Sequence, residues 1–211
     1  MTNSEATGLE LYDREGVDIE DLRIPGAHVC LIYDNEDERQ DVVLRFIEAG
    51  IRAGERIAYF AESMDAEEVR SWLQARGVEI PAAGRFDVIP AREVYCPDGE
   101  FSIDAMMERW QVFDRETSAA GFPGCRATGE TTWSREVPGG ERIAEYCARL
   151  NDVLVGTSIG ALCQYDSRRF DGATLLDVLR VHPLMLVGSQ VVRNPYFMGS
   201  TEFLASRGLS A

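Results

Sequence analysis

Two histidines and five cysteines raise the question of nitrogen and sulfur ligands. His28 and Cys30 are two apart in HVCLIY, so on a strand they share a face. Cys163 lies in a second apolar run, ALCQYD, and His182 in VHP. Together these four would offer zinc or iron a mixed set of donors. No CxxC is present and the spacings match no local metal motif, so buried thiols and structural histidines are the preferred reading. No metal and no other cofactor is expected. His182, at the end of a helical pattern, is placed to hydrogen-bond the last carbonyls. A second group is Arg126, Glu130 and Trp133 in GCRATGETTW. The two charges could pair and fix a loop at Gly129, and the indole offers a large apolar face with one polar N–H. A structural ion pair and the wall of a ligand pocket both fit. Catalysis by Glu130 would need a raised pKa and a nearby substrate, and the sequence shows neither. There is no G-x-S-x-G elbow, and spacing defines no Ser-His-Asp or Cys-His pair. No catalytic residue is expected.

These residues sit on an alternation of strands and helices. HVCLIY reads as a strand over 28–33, a helix follows over 37–52, and a second strand covers 56–61. Many nucleotide-binding α/β domains begin this way, with glycines and a lysine between strand and helix. Here that place holds Asp34, Asn35, Glu36, Asp37 and Glu38. Carboxylates repel phosphate where a helix N-terminus would attract it, so ATP binding through this loop is not expected. Asp or Asn there is suited to capping the helix.

Further along, Ser63 or Asp65 can cap a helix that Gly77 ends. Residues 85–89 form a third strand candidate, and REVYCPDG reads as a loop. Met106, Met107, Trp110 and Phe113 recur on the helical period after a Ser102 cap, a stripe read as core packing over a cofactor wall. CRATGETTW reads as a strand opening into a loop at Gly129. A helix with Ile143, Tyr146, Cys147, Leu150 and Leu154 inward comes next, then the strand SIGALCQYD and a helix stopped near Pro183. Two short strands flank Gly188 and Ser189. The pattern predicts an α/β fold, layered, with a mostly parallel central sheet flanked by helices. Residues 1–24 are expected as a flexible arm, 25–198 as one domain, and 199–211 as a tail. Ligands of such domains lie at the carboxyl ends of the strands. That points to residues 33–35, Glu62, Ser63, the 128–133 segment, Tyr165 and Asp166.

Composition narrows the classes. With 36 acidic and 21 basic residues the net charge is −15, and no basic footprint for nucleic acid or an anionic membrane is concentrated anywhere. The start, MTNSEATGLELYDRE, has no basic start and no apolar h-region, and no run reaches membrane-span length. Widely spaced cysteines, odd in number, do not resemble a secreted disulfide framework. A cytoplasmic, reduced protein is expected.

The order and spacing of HVCLIYDNEDE, FIEAGIRAGERIAYF, GCRATGETTW, ALCQYD and LRVHP with NPYF resemble the MEDS domain. This is the sensory domain of the DcmR type, and the resemblance covers residues 26–198. It implies a RecA/KaiC-like fold without a Walker A loop. It also implies a role in sensing small hydrocarbon derivatives and passing the signal to other domains. The positions it carries over are His28, Tyr33, Arg126, Gly129, Glu130, Trp133, Cys163, Tyr165, His182 and Pro183. Tyr146 and Cys147 stand where the family often has Tyr-Glu, and Thr131 where a methionine often stands. The candidate ligand-binding set is His28, Tyr33, Glu62, Arg126, Glu130, Trp133, Tyr165 and His182.

The leading expectation is a non-enzymatic domain that binds a small organic ligand and signals to a separate regulatory or signalling protein. No output domain fits the remaining residues. A homodimer stays open. A ligand-independent interaction module acting on a transcription or signalling factor is one alternative. A small-molecule or metal-dependent enzyme, with Arg126, Glu130, Tyr165 and His182 as the residues to watch, is another.

Overall fold

In the computed structural model, residues 16–23, 25–81 and 84–210 are described. Strand alternation separates two cores. β1 is Val17–Asp18, β2 His28–Tyr33, β3 Arg56–Ala61, β4 Phe86–Pro90, β5 Cys125–Glu130, β6 Ile159–Asp166, β7 Leu184–Val187 and β8 Gln190–Arg193. The helices are α1 (Glu36–Ala53), α2 (Ala66–Ala75), α3 (Ala91–Tyr95), α4 (Ile103–Ala119), α5 (Ile143–Leu154), α6 (Gly172–Val181) and α7 (Ser200–Ser206). One sheet runs β1-β8-β7-β2-β6-β5-β3-β4, parallel from β7 to β4, with β8 and β1 antiparallel at one edge.

On one face Val29, Leu31, Ile57, Tyr59 and Leu162 pack under α1 and α2. On the other Cys30, Ala58, Phe60, Ala127, Cys163 and Tyr165 pack under α4, α5, α6 and α7. Period two along each strand does this sorting. α1 starts at an Asn35 cap whose side chain accepts from the N–H groups of Asp37 and Glu38, and it ends at Gly54, in the left-handed region at φ 77°. Asp65 and Glu68 form a reciprocal capping box on α2.

Four local expectations are corrected. REVYC forms the short helix α3 instead of a loop. β5 continues through Gly129 to Glu130, because parallel neighbours β3 and β6 hold it on both sides. A Cβ at 129 would meet the Tyr95 hydroxyl at 2.7 Å, so any larger residue there would have to displace that side chain. Residues 17–22 of the expected arm are packed: β1 pairs with β8, and Ile19 and Leu22 are buried in the α1 layer. Residues 1–15 of that arm lie outside the described residues. The expected tail contributes α7, whose Phe203 and Leu204 are buried in the α4–α7 layer.

Candidate functional site

At the carboxyl ends of β2, β3, β5 and β6, where this architecture places ligands, the crevice is filled by the chain's own polar groups. Arg39 rises from the first turn of α1 and is 1% exposed. Its Nη1 donates to the Tyr59 hydroxyl and to Gln164 Oε1, each at 2.9 Å. The Tyr59 hydroxyl in turn donates to Glu130 Oε1 at 2.8 Å, and the Ser63 N–H donates to Glu130 Oε2 at 3.0 Å. Gln164 Nε2 donates to Thr128 Oγ1 at 2.8 Å. The guanidinium and the Glu130 carboxylate stand 3.6 Å apart. Burial first, and the Glu130 charge second, push the Tyr59 phenol above its ordinary value, so it stays a donor. The network thus closes the position that a phosphate loop would leave open.

The remaining expected residues disperse. Tyr33 ends β2 with the Arg39 guanidinium 5.6 Å from its ring centre, and burial pushes its hydroxyl up to about 12. It borders a groove of about 470 Å³ whose rim carries Asp37, Glu38 and Asp41. Glu62 is paired with Arg92 at 2.9 Å. Trp133 is fully buried, stacked on Tyr95 at 4.7 Å and tilted against Phe101 at 5.0 Å, so it packs in the core instead of facing a cavity. The expected Arg126–Glu130 pair does not form. Both residues lie on β5, and four residues at about 3.3 Å each hold them roughly 13 Å apart. Arg126 pairs with Glu55 at 2.6 Å and donates to the Leu22 carbonyl at 3.1 Å, at the opposite end of the sheet.

His28, Cys163, Tyr165 and His182 do converge, in the α4–α7 layer. The imidazole centres of His28 and His182 are 4.2 Å apart. Cys163 Sγ is 3.5 Å from His28 Nε2. The sequence reading missed the fourth donor: Cys147 of α5 stands in the group, with its Sγ 3.2 Å from the Tyr165 hydroxyl. Cys30 lies outside it. Burial lowers the His28 pKa, with the neighbouring His182 adding to the effect, so its ring is neutral. Burial alone would raise the Cys147 thiol, but Cys163, His182 and His28 outweigh it and hold Cys147 well below the ordinary thiol value. The same contact with Cys147, and then burial, push Cys163 up.

A third feature lies on the same face, toward the β4 edge. A groove of about 270 Å³ opens between α4 and the carboxyl ends of β3 and β4. Phe60, Ile89, Val94, Met106, Trp110 and Phe113 line it, with Glu93 and Arg109 as its charged members. The stripe read as core packing on α4 is therefore both core and wall.

A mostly parallel sheet between helical layers, with a filled crevice in place of a phosphate loop, defines a RecA/KaiC-like fold. Solved structures that share it include the flagellar accessory protein FlaH from Methanocaldococcus jannaschii, at TM-score 0.57 and 10% identity, covering 86% of this chain and 85% of that one; the KaiC-like protein PH0186 from Pyrococcus horikoshii, at 0.55 and 14%, covering 76% and 71%; and PH0321 from Pyrococcus horikoshii, in complex with an unknown peptide, at 0.56 and 12%, covering 78% and 80%. At these identities the likeness is one of fold alone. No curated protein matches in sequence. The family model described as MEDS, the methanogen/methylotroph DcmR sensory domain, matches residues 27–183. The chain belongs to that family of sensory domains. Among the described residues no helix is long and apolar enough to cross a membrane.

Proposed function

We propose that this sensory domain binds a small, weakly polar organic molecule in the groove between α4 and the ends of β3 and β4. It does not transform the ligand, and it reports occupancy to a separate regulatory or signalling protein. The observation that carries the reading is the pairing of a filled phosphate crevice with an apolar groove at neighbouring strand ends. A largely apolar lining with few charged groups is the usual constitution of a small-molecule site. The volume suits a short hydrocarbon derivative, and Glu93 and Arg109 supply the polar contacts that would orient a hydroxyl or amine. Met106 and Trp110 belong to a long helix that packs on α5, so filling the groove bears on the helical layer and its outer surface.

Thermal unfolding against small alcohols, halogenated alkanes and amines tests the reading. A ligand at ten times its Kd should stabilise the fold by about 1.4 kcal/mol, roughly 3–6 °C for a domain of this size. Ile89→Trp, which fills the groove from its wall, should abolish the shift. A flat melting temperature across the panel at millimolar concentration, or an unchanged shift in Ile89→Trp, overturns the proposal.

A further inference from the structure

We infer that His28, Cys147, Cys163 and His182 form a closed binding site for a divalent cation of the zinc type. None of the four lines the groove, so the inference stands apart from the ligand reading. They come from four places in the chain: the start of β2, the middle of α5, the middle of β6, and the residue capping α6. All four are buried, and their donor atoms lie within 4.8 Å of one another.

The hydrogen bonds around them set the donor lone pairs inward. His182 Nδ1 is 2.7 Å from the Val178 carbonyl, which can only accept, so that nitrogen carries the proton. Its Nε2 then holds a lone pair, and that buried atom has no hydrogen-bond partner. Asn151 Nδ2 donates to the Val181 carbonyl at 2.8 Å, which turns its Oδ1 toward His28 Nδ1, also at 2.8 Å. The proton of His28 therefore sits on Nδ1 as well, and Nε2 faces Cys163. Two imidazoles, each fixed by an outer N–H bond with the other nitrogen aimed at two sulfurs, are the arrangement of metal-ligating histidines. The Tyr165 hydroxyl, beside Cys147 Sγ, can donate to a bound thiolate.

Two nitrogens and two sulfurs form a tetrahedral set that zinc favours. Bonds of about 2.0–2.3 Å put tetrahedral ligand atoms roughly 3.3–3.8 Å apart, so the observed group needs only a contraction on the order of 1 Å. All four positions are supplied by protein and the centre is buried, so the cation would be held without an open coordination place. Its effect would be to cross-link the sheet to α5 and α6. Metal binding would require both sulfurs as thiolates.

The test uses the full chain purified without a histidine tag, equilibrated with Zn²⁺, and dialysed into metal-free buffer. Elemental analysis should give one zinc per chain. Replacement by Co²⁺ should give the visible bands of a tetrahedral centre and a thiolate charge-transfer band. Cys147→Ala should lose both, and Cys30→Ser, which changes a neighbouring thiol outside the group, should keep both. Metal well below one equivalent in the wild-type chain overturns the inference. So does a Cys147–Cys163 disulfide found by mass spectrometry, or full zinc retention in Cys147→Ala. The wild-type stoichiometry decides the matter even if Cys147→Ala does not fold.

Discussion

Arg39→Leu should be among the most damaging single changes on the α1 side of the sheet. The guanidinium is 1% exposed and is the buried cation facing Glu130, which is itself 3% exposed. Removing it leaves a buried carboxylate without its counter-charge, which typically costs about 3–5 kcal/mol. The lower end applies, because Glu130 keeps the Tyr59 hydroxyl and the Ser63 N–H as donors. A loss of about 3 kcal/mol should lower the melting temperature by roughly 6–12 °C. The other acidic partner of Arg39, Glu36, has its side chain 44% exposed, so that pair contributes less. Glu130→Gln in the Arg39→Leu background removes the stranded charge, so the double variant should be more stable than the sum of the single costs by about 1–3 kcal/mol. Urea unfolding of the four proteins at pH 7 measures both the single costs and the coupling. A cost below about 1 kcal/mol, with coupling within error of zero, would refute the charge-burial argument.

Three further outcomes are expected. Arg126→Met and Glu55→Gln should couple strongly in a double-mutant cycle, since their charges meet at 2.6 Å, whereas Arg126 and Glu130 should show coupling near zero at roughly 13 Å separation with no shared partner. Glu145→Gln should cost on the order of 1 kcal/mol at pH 7. Arg142 first, and then Arg149, hold the Glu145 carboxyl below its ordinary value, so this stability is present above about pH 4.3 and is lost as pH falls through the depressed folded value. The difference between variant and wild type, followed by denaturant unfolding across that range, should vanish on the acid side. Gly140→Ala should destabilise by about 1–3 kcal/mol, because its Cβ would sit 2.0 Å from the Ser134 carbonyl oxygen and backbone cannot swing aside as a side chain can; an unchanged urea midpoint would contradict the close approach.

Local chemistry settled most of the element list. The apolar runs at 28–33 and 56–61 are β2 and β3, and Asn35, Asp65 and Ser102 cap the helices that follow them. These signals lie within a few residues of one another, so periodicity and capping rules reach them directly. The loss of the phosphate loop was equally plain, because Asp34–Glu38 is a contiguous stretch. Arg39 was missed, although a signal for it exists: it falls on the inward helical face with Val43 and Phe46, a basic residue where the pattern calls for an apolar one.

What the sequence could not supply was the partner of each buried group. Arg126 and Glu130 are neighbours in the chain, yet the extended backbone of β5 sends them to opposite ends of the sheet, to Glu55 and to Arg39. Cys147 read as one more inward residue of α5, and only the packing of α5 and α6 on β2 and β6 brings it beside His28, Cys163 and His182. Donors separated by as many as 154 positions meet through the crossover connections of a parallel sheet, and no spacing rule spans such loops. Strand and helix periods act locally and can be read from a window of residues. The site depends on which elements become neighbours, and that is decided by the burial of both faces of the sheet at once.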